Sequence, residues 1–170
     1  MLQNVEPPET YGLDIQCIYR VQAYIRETNL RAYTPRIISI GPFHKASDTG
    51  KEDSIFESME ELKVNYLKAF LNRTQIPMGT FVVTLQKLKD KIRSCYAVRI
   101  NYNSDDFLKM ILIDVCFIIE FFLRFYTYQD WQRNDSVLLK PWMLNQIWRD
   151  LILLENSFLS LFLKNFTNSL

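Results

Sequence analysis

Residues 107–126, FLKMILIDVCFIIEFFLRFY, are apolar on almost every face of a helix, and this run decides most of what the chain can become. A helix of that length spans about 30 Å, enough to cross a bilayer. Asp114, Glu120 and Arg124 interrupt it, however, and no charge-free stretch exceeds five residues. Each central charge costs roughly 2.5–3.5 kcal/mol on membrane-insertion scales. The run therefore reads as a buried central helix over about 104–126, not a transmembrane one. Ser104 is placed to cap it, with Asp105 and Asp106 where the helix dipole favours negative charge.

Burying this helix creates obligations. Glu120 and Arg124 stand four residues apart and pair along one face. Asp114 has no such partner and needs one from elsewhere, because an unpaired buried carboxylate is expensive. Glu155 follows four apolar residues and reads as a helix-end carboxylate satisfied by backbone donors.

The helical period marks the companions of the central helix. Over 15–30, Ile18, Val21 and Ile25 share a face; SIFE at 54–57 is a capping box ahead of a stripe of Ile55, Met59, Leu62, Tyr66 and Phe70. Beyond Pro77 and Gly79 a second amphipathic helix buries Phe81, Leu85, Leu88, Ile92 and Cys95. Its Lys87, Lys89, Lys91 and Arg93 could meet phosphate or lipid headgroups, but their spacing spreads them round the helix, which favours a solvated face. Pro141 opens the last helical segment.

One β signal stands out, RIISI at 36–40, rich in β-branched residues and stopped by Gly41-Pro42. The expected fold is thus mainly α, with four to five helices around the central one and one short β element near 36–40. Residues 1–12 are expected to form a flexible lead-in and 13–170 a single helical domain.

Composition narrows the function classes. A hydrophobic content of 48% with 14% aromatic residues excludes disorder. A net charge of +1 supplies no field to recruit nucleic acid or an anionic membrane. Cys17, Cys95 and Cys116 form no CxxC, so neither a zinc site nor a disulfide framework is indicated and reduced thiols fit best. The start MLQNVEPPET is no signal peptide, and the sequons at Asn72, Asn134 and Asn165 carry little weight without one.

A search for chemistry finds little to build on. His44 is the sole histidine, which excludes two-histidine metal sites, and no phosphate-binding or nucleophile-elbow motif occurs. No catalytic residue, cofactor or metal ligand is assigned. The enzymatic alternative is a hydrolase or transferase using His44 with a carboxylate such as Glu60 or Asp114; the plainer reading has His44 bonding a carbonyl or carboxylate at a turn.

Seven blocks occur in one order: IYRV (18–21), AYTPRIISIGPFH (32–44), MEELKVNYLKAFL (59–71), CY (95–96), DVCFIIEFFLRF (114–125), KPWM (140–143) and RDLILLEN (149–156). Together they resemble the plant family called domain of unknown function 247, a UPF0481-type group, over about residues 15–160. The resemblance singles out Tyr33, Pro35, Gly41, Pro42, Phe43, His44, Asp114, Glu120, Pro141, Trp142, Asp150, Glu155 and Asn156 as structural motif positions.

It implies a mostly helical plant protein with no established catalytic activity, and a recognition role through a protein partner, as in grass self-incompatibility. Family members are typically more than twice as long and carry a hydrophobic C-terminal segment that anchors them in a membrane. The present chain is accordingly expected to be an N-terminal portion or a truncated relative, soluble and cytoplasmic if expressed alone, with apolar surface exposed around 151–166. In a truncated relative independent function would be absent. Gln22, Lys45-Ala46 and residues 155–162 depart from the family pattern. The loops at 44–52 and 127–136 are the expected variable contacts.

Overall fold

In a computed structural model of the chain, residues 18–44, 54–127, 135, 140–153 and 155 are described, and they contain six helices. These are α1 (Ala23–Thr28), α2 (Leu30–Tyr33), α3 (Ser54–Thr74), α4 (Met78–Ser94), α5 (Ser104–Tyr126) and α6 (Pro141–Leu151). The apolar run becomes α5 over the expected residues. Phe107, Ile111, Phe117 and Phe121 lose all solvent contact, and α3 is its main packing partner, with α4 second.

Rings knit the centre: Tyr66 of α3 lies 5.2 Å from Phe117, which is 5.8 Å from Phe121, which in turn meets Trp148 of α6 at 5.5 Å. Such pairs add about 0.5–1.5 kcal/mol each beyond burial. The expected stripes of α3 and α4 face this core, except that Ile55 stays half exposed.

The structure corrects three expectations. The cap of α5 is Asn103 and not Ser104: the Asn103 side chain accepts from the Asp106 N–H at 2.8 Å, and Ser104 is the first helical residue. The helix expected over 15–30 begins only at Ala23 and breaks at Asn29 (φ −158°, ψ 77°). Ile18 instead forms an isolated parallel bridge with Tyr96, donating to the Cys95 carbonyl at 3.1 Å and accepting from Ala97 at 3.0 Å. Leaving the helix lets Ile18 be buried to 1% exposure.

The third correction concerns 36–40, which is not a strand. A lone extended segment needs a neighbouring strand for its ladder, and none exists among the described residues. Ile37, Ile38, Ser39 and Ile40 are nonetheless all buried, on both faces. Their backbone polar groups must be satisfied by something else. The capping-box serine side chain, most of loop 44–52, most of loop 127–136, Cys17, Asn156 and most of 151–166 lie outside the described residues.

Candidate functional site: buried charges around residues 36–44

Side chains of the surrounding helices replace the missing strand. Asp150, on the buried face of α6 beside Ile147 and Leu151, sends Oδ2 to three successive N–H groups: Arg36 at 2.9 Å, Ile37 at 2.8 Å and Ile38 at 3.1 Å. Its Oδ1 accepts from Gln146 at 3.1 Å. Next, Lys63 of α3 donates to the Ser39 carbonyl at 2.7 Å. Asp114 of α5 then takes the Gly41 N–H at 2.8 Å.

Lys63 ties these together. Its three ammonium protons meet Ser39 O, Asp114 Oδ1 at 2.8 Å and Glu60 Oε1 at 2.6 Å, so the donor set is complete. Burial alone would lower the Lys63 pKa, but the Asp114 and Glu60 carboxylates outweigh it and hold it above the usual range. The partner that Asp114 requires is therefore a buried lysine one helix away.

Gly41 occupies the turn at φ +76°, a region that L side chains rarely adopt. A Cβ there would meet the Tyr96 hydroxyl at 3.0 Å. Phe43 packs edge-on to the Tyr96 ring at 5.3 Å, as a core-seeking residue after the turn should. The Tyr96 hydroxyl is buried without a hydrogen-bond partner, and burial, with the Asp114 charge nearby, pushes its pKa upward.

His44 ends the segment against Glu155. Nε2 lies 2.6 Å from Oε2, an ion pair when the imidazole is protonated. Glu155 Oε1 accepts from the Val21 N–H at 2.6 Å and from the Arg26 guanidinium. Burial opposes the Glu155 charge, but His44, Arg26 and Val21 together hold its pKa down to about 2. The carboxylate against His44 is thus Glu155; Glu60 and Asp114, the partners considered for a catalytic histidine, converge on Lys63 instead.

A second buried cluster joins α3, α5 and Asp135. Glu120 pairs with Arg124 at 2.8 Å, as the spacing implies, and also receives a two-pronged bond from Arg73, 2.9 Å at each nitrogen. Arg124 continues to Asp135 at 2.5 Å and lies 4.1 Å over the Tyr66 ring. Burial and the Asp135 charge raise the Tyr66 pKa. Asp135, within the loop 127–136 expected from sequence to make variable contacts, is 4% exposed.

The remaining motif positions have plainer roles. Pro35 and Pro42 are buried, Tyr33 offers its carbonyl to Arg26 at 3.4 Å, Pro141 starts α6, and Trp142 is 59% exposed. In α4, Arg93 braces the following loop by donating to the Ile100 and Tyr102 carbonyls at 3.1 and 2.7 Å. Among the described residues no cluster of three or more metal-ligating side chains occurs. Sequence reading missed Lys63, Arg73 and Asp135; the available signal for Lys63 was its place on the stripe between Met59 and Tyr66.

These features define a helical domain in which an irregular buried segment is held by helix-borne charges. Residues 18–161 match a family described as plant proteins of unknown function, domain of unknown function 247, and the chain belongs to that family. It is 30% identical over 151 residues to a UPF0481 protein of Arabidopsis thaliana, covering 87% of this chain and 30% of that protein. A putative UPF0481 protein of the same plant is 29% identical over 140 residues, 82% of this chain and 24% of the other. The chain thus spans less than a third of the length of either relative. No solved structure matches it at a significant level.

Proposed function

We propose that this chain is a non-enzymatic recognition module, the part of a membrane-associated plant protein that helps meet a protein partner. The supporting observation is what the titratable side chains do. His44, Lys63, Asp114, Asp150 and Glu155 all turn inward and fasten residues 36–44 or its neighbours. A group whose partner holds the fold together is poorly placed to exchange protons with a substrate. A frame fixed in this way leaves its surface loops free to vary.

Among the described residues no helix is long and apolar enough to cross a membrane. In this reading, membrane attachment belongs to other parts of the longer family proteins. The test is cross-linking of the folded chain in plant membrane extracts, with adducts identified by mass spectrometry. One recurrent protein partner, retained by His44→Gln, is expected. Adducts that never recur, or a turnover activity lost in His44→Gln at unchanged melting temperature, would overturn the proposal.

A further inference from the structure

The loop after α4 forms a pocket with the turn at Phe43. Its volume is about 400 Å³, within the range of ligand pockets. Arg20 and Arg99 stand on its lining, which among the described residues includes no carboxylate, while Phe43, Val98, Ile100 and Tyr102 supply apolar and aromatic groups. Both arginines are exposed, and neither has an ion-pair or hydrogen-bond partner among the described residues. Arg26, Arg73 and Arg124 are each spent on a carboxylate and Arg93 on backbone carbonyls, whereas Arg20 and Arg99 remain available on one pocket.

We propose that this pocket binds an acidic segment of a peptide partner, an Asp or Glu side chain beside an apolar residue. The arginine guanidiniums receive the carboxylate, and Val98, Ile100 and Tyr102 receive the apolar neighbour. Guanidinium matches a carboxylate in two parallel hydrogen bonds, and two arginines with no acid beside them among the described residues offer charge complementarity for such a group. Nucleic acid is disfavoured because the chain as a whole carries only +1 and the described lining of the pocket holds two basic residues. The inference deepens the recognition reading above and rests on it. Arg93 braces the pocket loop from behind, which keeps the site preformed.

The test is fluorescence anisotropy of the whole chain with a labelled octapeptide containing Asp-Glu beside Leu-Phe, against its Asn-Gln twin. The acidic peptide is expected to bind at least tenfold more tightly than the twin. Arg20→Gln and Arg99→Gln should each weaken it about fivefold or more, at unchanged melting temperature, while Arg31→Gln on exposed α2 changes nothing. Equal affinity for the twins, or indifference to both arginine changes, would overturn the proposal. So would displacement of the peptide by millimolar inorganic phosphate, or arginine-dependent binding to phosphatidylserine vesicles in place of peptide. A recurrent cross-linked partner that survives the Arg20→Gln/Arg99→Gln double change would remove this pocket while leaving the recognition module standing.

Discussion

The carboxylate of Asp150 reaches the N–H of Ile37 at 2.8 Å across 113 residues of sequence, and the neighbouring N–H groups of Arg36 and Ile38 share the same oxygen. One helix side chain thereby does what a strand's carbonyls would do. Asp150→Ala would strand these donors, two of them in buried bonds, each worth about 1–3 kcal/mol when unsatisfied. A loss of about 3 kcal/mol is expected in urea melts. Asp150→Asn keeps an acceptor and should lose about half as much.

Lys63 and Asp114 form a buried pair in which each partner also holds backbone of the same segment. Removing one partner leaves an uncompensated charge, which costs about 3–5 kcal/mol. Lys63→Met should fall in that range, and Lys63→Met with Asp114→Asn should recover part of it. A double-mutant cycle by chemical denaturation measures the coupling.

Two glycines should respond oppositely. Gly41→Ala forces a side chain into φ +76° and against the Tyr96 hydroxyl at 3.0 Å, at a cost of about 1–2 kcal/mol. Gly79, in the first turn of α4, has nothing within 4 Å of a would-be Cβ. Gly79→Ala should stabilise by about 0.5–1 kcal/mol through helix propensity. Tyr96→Phe removes an unpartnered buried hydroxyl, so it should be neutral or slightly stabilising and should relieve part of the Gly41→Ala defect.

Glu155 gives stability a defined acid limb. Its folded pKa of about 2 lies below the ordinary 4.5, so the folded state favours the charged carboxylate. That contribution is present above about pH 4.5 and is lost as pH falls toward 2. Melting temperature followed from pH 6 to 2 should fall over this window. In Glu155→Gln this component of the fall should disappear, on a lower plateau.

Cys116 is buried in α5, and burial pushes its thiol up to about 12, so little thiolate is available at pH 8. In a Cys17→Ser background, iodoacetamide should label Cys116 only at the rate of unfolding, whereas the denatured chain reacts at once. Mass spectrometry of quenched time points checks this.

The legible parts of this fold are those whose partners are local. The limits of α5, the Glu120–Arg124 pair and the turn at Gly41 follow from spacing and residue type. The need of Asp114 for a partner was legible too, but its identity was not, because Lys63 lies 51 residues away on another helix. Residues 36–40 misled for a physical reason. A β-branched run buried on both faces gives the signal of an internal strand, and sequence alone cannot reveal that its hydrogen bonds go to Asp150, Lys63 and other side chains. The same long-range bonding hid Arg73 and Asp135, whose neighbours in sequence are polar and suggested solvent.

The backbone of residues 36–44 is held by helix-borne charges, and native-state hydrogen exchange at single amides reads this directly. Ile37, Ile38 and Gly41 should exchange only on global unfolding in the wild type. Asp150→Ala should selectively release Ile37 and Ile38, and Asp114→Ala should release Gly41. Rapid exchange of these amides in the wild-type protein, at the rate of the exposed loop residues Val98 and Arg99, would contradict that arrangement.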